Sequence, residues 1–482
     1  HHENPSVGMI LCKNADTDVV EYSLSRSLSQ TMIAEYKTKL IDADQKLQED
    51  ALMSYVASVN YSYGDKYYAS FSFRRDGSSR LSPDTRWGNF WSLSASWRLS
   101  QEKFMQSLKS VLSDLKLRAS YGVNGNLPSS YYGYQSTYTT GAFYNGKPSP
   151  WESTLGNEEL TWEKNYALNL GLDIGLFSRV NVSLDWYTRT TKDLLMSKQL
   201  NSISGFSSLL TNVGQMRNTG VELEVRSNNI KTKDFSWTTA FNLSHNKNKI
   251  LKLADLPWFV DGRYVRKEGY PFNTIYLREY AGVDPETGSA LYYDNQQDEN
   301  GNYTKNKVTD PGQASPIPLK DITPTISGGF MNTFNYKFID LSFNLSYSFG
   351  GYSYDNASYI LQDDGYSVIS NKSTEQRRRW QKPGDITDVP RFVYGNKKGG
   401  NYNSSRAIHS TDHIRLKSLI LGLNAPKAWL QKLGIGNARI YFSGTNLLTW
   451  AAYGQYDPEM SGVVGFYSPP LKTYAFGLEL KF

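Results

Sequence analysis

Strict alternation of apolar and polar side chains, repeated in segment after segment, constrains this chain more than any other feature of its sequence. From 91 to 99 the odd positions Trp91, Leu93, Ala95, Trp97 and Leu99 are apolar, and Ser92, Ser94, Ser96 and Arg98 fill the even ones. A period of two is the signature of a strand with one greasy face, because successive side chains of a strand point to opposite sides. Tyr166, Leu168, Leu170, Leu172, Ile174 and Leu176 repeat the pattern against Ala167, Asn169, Gly171, Asp173 and Gly175. That run outlasts an ordinary soluble strand of about five or six residues and suits a tilted membrane crossing. The same alternation recurs at 67–73, 115–123, 180–186, 221–225, 235–243, 341–349 and 474–482.

Soluble sandwiches and propellers also alternate, and any one segment would fit them. Three features together favour a membrane barrel. The segments are long, their polar faces carry small hydrated residues with Arg and Lys, and aromatics recur near segment ends, where a girdle would sit. Composition agrees, with 14% aromatic residues but only 20% charged ones. No stretch approaches the roughly 18 consecutive apolar residues of a spanning helix. Near 414–423 the apolar parity shifts from Ile414 and Leu416 to Leu419, Leu421 and Leu423, which predicts a bulge around Lys417 and Ser418.

Connections alternate in length. Tight turns are expected at 64–65, 177–178 and 337–339, and long loops at 76–87, 124–160, 250–272 and 350–410. Short periplasmic turns and long outside loops are the habit of outer-membrane barrels. The predicted fold is therefore all-β: the last 13 to 15 strands of a 22-stranded antiparallel transmembrane barrel, with the plug and first strands outside this chain. The higher count applies if the segments flanking 284–288 span the membrane. Two regions are expected: 1–50, an extracellular loop segment, and 51–482, the barrel with its long loops. Within and just beyond the first, 31–53 reads as an amphipathic helical stretch with Met32, Ile33, Tyr36 and Leu40 on one side.

Several chemistries find no support. A net charge of +6 is spread over 52 basic and 46 acidic residues without clustering, which speaks against a nucleic-acid partner. Cys12 is the only cysteine, so no internal disulfide or cysteine metal site is expected. Of five histidines, His1 and His2 lie at the end of the chain, and His245 shares parity with Phe241 and Leu243. His409 and His413, four apart on a strand, would stand about 13 Å apart, too far to share a metal. No catalytic constellation and no cofactor is expected. The acidic run DNQQDENGN (294–302) lacks the spacing of a calcium loop and reads as a solvated loop.

Eight strings, in order, resemble the barrel signatures of SusC/RagA-like TonB-dependent transporters of Bacteroidetes. They are ASFSFRRDGSSR (69–80), LKLRASYGVNGN (115–126), LTWEKN (160–165), NTGVELEV (218–225), RWQKPGDITDVPR (379–391), SSRAIHSTDHIRLKSL (404–419), LGLNAPKAWLQKLGIGNARIYFSGTNLLTW (421–450) and YDPEM (456–460). At HSTDHIRLKSL the family more often has an aromatic–Leu pair before its Arg-Leu-Lys. The resemblance implies TonB-dependent import of an oligosaccharide or peptide across a Gram-negative outer membrane, with a SusD-like surface lipoprotein as lid. It also implies energy from the proton gradient through a TonB-ExbB-ExbD complex engaging an N-terminal region outside this chain, contact with outer-membrane lipid, and pairing of transporter–lipoprotein units into a dimer. A passive porin or a surface-anchoring barrel is the alternative.

The loops offer aromatic faces and polar groups of the kind that bind sugars, and the candidate ligand contacts are Trp258, Tyr264, Trp380, Arg391 and Tyr394. Loop packing or lid contact competes with that role at each. Arg74, Arg98, Arg118, Asp173, Glu222 and Glu224 have lumen parity and read as hydrated plug contacts. The terminal run Tyr474, Phe476, Leu478, Leu480 and Phe482 resembles the barrel-assembly signal of outer-membrane proteins, with a plain edge strand as the competing reading.

Overall fold

The computed structural model describes residues 32–41 (backbone only), 47–139, 143–253, 256–396, 403–430 and 434–482. Fourteen strands form one antiparallel sheet in sequence order. They are β1 (Met32–Ile41), β2 (Leu47–Tyr63), β3 (Tyr67–Ser78), β4 (Trp87–Arg98), β5 (Leu112–Asn126), β6 (Glu163–Leu176), β7 (Val180–Lys192) and β8 (Gln215–Lys231), followed by β9 (Phe235–Lys252), β10 (Ile326–Tyr336), β11 (Ile339–Phe349), β12 (His413–Asn424), β13 (Asn437–Ala451) and β14 (Thr473–Lys481). Each of the nine alternating segments falls on one of these strands.

The stretch expected to be helical is corrected. Met32–Ile41 is a strand, paired antiparallel with β2 from Met32↔Val56 to Ile41↔Leu47. Four apolar residues in a short charged stretch fit a helical spacing only loosely, and the open hydrogen-bonding edge of β2 offers a partner for every second peptide group; tertiary pairing overrides local pattern. The flanks of 284–288 form a loop hairpin of Tyr280–Val283 and Ala290–Tyr293 outside the large sheet, so they add no spanning strands.

Register carries the apolar residues to one face. An unbroken ladder runs Tyr67, Trp97, Leu117, Leu172, Leu184, Leu223, Leu243, Gly328, Tyr347, Ile414, Trp450 from β3 to β13. At its one gap the Tyr347 ring lies over Gly328 and donates its hydroxyl to Asn242 O at 2.7 Å. This face is open: Leu93 is 53% exposed, Leu478 64% and Phe476 82%. Leaving a large apolar side chain in water rather than burying it forfeits about 1.5–3 kcal/mol. Repeated over a band of this size, that exceeds the 5–15 kcal/mol net stability of a typical domain, so the face belongs in lipid.

The opposite face is polar and paired. Arg118 spans from β5 across β6 to β7, donating to Asp173 at 2.8 Å and to Asp185 at 2.9 Å. Gly171 stands between them, and a Cβ there would lie 2.6 Å from the guanidinium carbon, so the crossing requires glycine. Arg98 joins Asp114 at 2.9 Å, and Arg439 joins Asp340. A wet lumen tolerates such charges where lipid would not.

Turn chemistry sets which end is which. Gly64 and Asp65, and again Phe177 and Ser178, have positive φ at both positions, the geometry that matches strand twist in tight hairpins. The five longest connections, 127–162, 193–214, 253–325, 350–412 and 452–472, all leave from the other end. The expected bulge is present: pairing skips Lys417, with β12 shifting register between Leu416 and Ser418 against β13.

Candidate functional site: a cavity between the barrel wall and its last loop

The long loops fold into a layer of small sheets. One has four strands, Trp258–Asp261, Tyr264–Lys267, Thr274–Leu277 and Ile317–Asp321. Another joins Tyr352–Asp355 antiparallel to Ile408–Ser410 and parallel to Gly462–Val464, so the loops after β11 and β13 share backbone hydrogen bonds. Ile275, Leu277, Tyr354 and Ala407 pack into one buried cluster that unites these sheets.

Beneath the last loop, against the lumen side of β12 and β13, lies a cavity of about 700 Å³ whose lining includes Asp355, Arg415, Asn446, Tyr456, Asp457, Phe466 and Tyr467. Its volume falls in the 300–1,000 Å³ range of small-molecule sites. Arg415 holds the loop to the wall. Only 2% exposed, it donates to Asp457 at 2.6 Å and to Glu459 at 3.0 Å. Lys417 reaches Glu459 at 2.6 Å, and His413 Nε2 lies 3.8 Å from the same carboxylate. The bulge matters here, because it brings Lys417 to the lumen side beside Arg415 while keeping Leu416 and Leu419 in the apolar face.

Asp355 anchors the opposite wall. Its carboxylate accepts from Ser358 N at 2.9 Å, Ser358 Oγ at 2.6 Å and the Tyr453 hydroxyl at 3.0 Å. Burial pushes the Tyr453 and Tyr456 hydroxyls above their usual range, so both remain protonated donors. The His409 ring stacks on Tyr453, with centroids 3.7 Å apart and planes 3° apart, and burial lowers its pKa against the opposing pull of Asp355.

A second cleft, of about 480 Å³, opens in the loop layer among Trp258, Lys267, Tyr276, Asn295, Gln296, Gln297 and Tyr303. Trp258 and Tyr276 stand 6.0 Å apart. Aromatic faces beside amides can stack on an apolar ring face and bond its hydroxyls, or bond a peptide backbone.

The five candidate contacts are scattered. Trp258 lines the second cleft. Tyr264 packs in the loop core, its ring under Arg266 at 5.5 Å. Trp380 is engaged structurally: Nε1 donates to Pro285 O at 2.8 Å, and the indole covers Gly288. Arg391 sits nearby, its amide donating to Gly288 O at 2.9 Å. Tyr394 is 78% exposed. Sequence reasoning passed over Tyr276, Tyr303, Phe466 and Tyr467, though the run FYSPP at 466–470 carried a signal: adjacent aromatics held by two prolines. In the acidic loop, Asp298 accepts from the amides of Asn300 and Asn302 at 2.9 and 2.8 Å, and Asp294 from Thr304 and Asn306 at 2.7 and 2.9 Å. His409 and His413 lie in different elements, and His245 takes the outward parity expected of it, with Nδ1 3.0 Å from Thr325 O.

A long antiparallel wall, apolar outside and ion-paired inside, with its longest loops gathered at one end, is the wall of a transmembrane β-barrel. Residues 35–312 match the family model described as TonB dependent receptor-like, beta-barrel, and the chain belongs to that family. It is 33% identical over 471 residues to TonB-dependent receptor P3 of Formosa agariphila, covering 90% of this chain and 46% of that protein. It is 30% identical over 475 residues to TonB-dependent receptor SusC of Bacteroides thetaiotaomicron, covering 91% and 45%. Among solved structures it superposes on the RagAB peptide transporter with a TM-score of 0.82 at 31% identity, covering 91% of this chain and 48% of that one. The SusC/RagA resemblance therefore holds along most of the chain, which spans about half the length of the curated relatives it matches.

Proposed function

We propose that the protein carrying this chain imports an oligosaccharide or a peptide across the outer membrane in a TonB-dependent manner, in partnership with a SusD-like surface lipoprotein. The observation that carries this reading is the cavity between β12, β13 and the inward-folded last loop, in a barrel whose relatives are receptors and transporters. A ligand held there would meet the Phe466 and Tyr467 rings and Tyr456 from the last loop, and Asn446 with the ion-paired Arg415 from the barrel wall. That combination suits a chain of polar units with apolar faces, which both substrate classes are. A solved neighbour named as a peptide importer supports the peptide member of the pair.

Uptake of labelled glycan and peptide libraries by cells with and without TonB tests the reading. Uptake should stop without TonB and should fall severalfold in the Phe466→Ala/Tyr467→Ala double variant at unchanged surface abundance. Uptake that persists at full rate without TonB would mean a passive pore.

A further inference from the structure

On the outward face, at the long-loop end of β6 to β9, the apolar band gives way to cations. Four rows of register-matched residues show the transition. The lowest is Leu170, Trp186, Val221, His245; above it come Leu168, Thr188, Thr219, Lys247, then Tyr166, Thr190, Arg217, Lys249; the highest begins Lys164, Lys192. Every one of these residues has the parity of the lipid-facing side chains.

Lys192, Arg217, Lys247 and Lys249 are exposed. Lys192 lies over the Tyr166 ring at 5.0 Å, and Arg217 Nε donates to Thr190 Oγ1 at 3.2 Å, which leaves the rest of its guanidinium turned outward. Among the described residues, Lys164 alone of the five cations has a carboxylate within 4 Å, Asp193 at 3.9 Å. The patch spans four strands, about 15 Å, and climbs about 13 Å from Lys247 to Lys164.

We infer that this patch binds the phosphorylated headgroup of an outer-leaflet lipid. Two features select that occupant. The patch is continuous with the apolar band below it, so a molecule seated on it has its hydrocarbon part against Trp186, Val221 and Leu170. Its charge is of one sign, and the hydroxyls between the cations add donors suited to phosphate oxygens: that of Thr190, and one of the mutually bonded pair Thr188 and Thr219, 3.2 Å apart. A solvated loop face would need neither the continuity nor the near-absence of carboxylates. The inference rests on the outer-membrane reading above.

The test uses the full-length protein reconstituted with a phosphorylated outer-leaflet glycolipid and with the same lipid after phosphatase treatment, retained lipid being counted by native mass spectrometry. Wild-type protein should retain the phosphorylated lipid at least about fivefold better, the factor for one cation at an anionic lipid surface. Arg217→Ala/Lys247→Ala/Lys249→Ala should lose more than tenfold of that retention, and Lys337→Ala, at the opposite end of the barrel, none. Equal retention of both lipids by the wild-type protein overturns the inference without any variant, as does unchanged retention by the triple variant. Displacement of the lipid by millimolar inorganic phosphate would assign the patch to free phosphate and overturn it too. If the wild-type protein does not enter bilayers at all, the outer-membrane reading falls along with it; if it inserts and discards the lipid, only this inference falls.

Discussion

At the residue scale, the loop layer depends on side chains that looked from the sequence like ligand contacts. Trp380 is the clearest. Its indole fills the space above Gly288, whose φ of +69° is natural for glycine and costs other residues about 1–2 kcal/mol. Gly288→Ala adds that cost to a collision with the ring, and Trp380→Ala removes the contact and the bond to Pro285. Both should speed hydrogen exchange at the Arg391 and Gly384 amides, which donate to Gly288 O and Pro285 O, by tenfold or more. Unchanged exchange would leave Trp380 free for a ligand. His409 sets a pH dependence. Buried on Tyr453, it holds its pKa below the ordinary 6.5, so the unfolded loop binds the proton more readily than the folded one. Stability is then full above pH 6.5 and is lost as pH falls below it, by at most about 1.4 kcal/mol per pH unit. Proteolysis of the 408–412 segment should accelerate between pH 7.5 and 5.5, and His409→Gln should flatten that profile.

At the element scale, β12 shows how one extra residue serves two faces. Without the bulge at Lys417, Leu419, Leu421 and Leu423 would turn into the lumen, because a one-residue slip exchanges the faces of a strand. Pairing that skips Lys417 keeps them in lipid and places Lys417 with Arg415 against Glu459. Deleting Lys417 should preserve the outward leucines and loosen the last loop; deleting Ser183 from β7, which is paired on both sides without a bulge, should exchange the faces of half that strand. Heat-modifiable migration on gels separates the two: an assembled barrel is expected for the first and its loss for the second. Pairing rather than local pattern also explains why Met32–Ile41 is a strand and not the expected helix. An open strand edge imposes its own period on a neighbour, and Met32–Ile41 took the partner available in β2.

At the scale of the whole molecule, the wall must assemble before any site exists, and the terminal strand is where that assembly is proposed to be recognised. Tyr474, Phe476, Leu478 and Leu480 extend the outward apolar face to the last residue, Phe482, which is 87% exposed. Deleting Phe482 removes almost no contact within the chain, so it should leave the stability of an already folded barrel nearly unchanged while sharply reducing the amount that reaches the outer membrane. Equal membrane abundance with and without Phe482 would reduce β14 to a plain edge strand.

Local pattern alone lays out the barrel wall from β2 onward: its strand positions, its outward face, the bulge in β12 and the end that bears the longest loops. These follow from a period-two pattern and from turn chemistry, both local and repeated, so each segment corroborates the next. The sites were not legible in the same way. The cavity walls come from 355–362, 415, 446–458 and 465–472, brought together by a parallel pairing of Tyr352–Asp355 with Gly462–Val464 that no local signal encodes. The basic patch is illegible in the sequence for a related reason. Lys164, Lys192, Arg217, Lys247 and Lys249 are scattered along the chain and become neighbours only when four strands align in register. Alternation is a property of each strand alone, whereas a cavity or a charged patch depends on which strands and loops lie side by side, and that is fixed by long-range pairing.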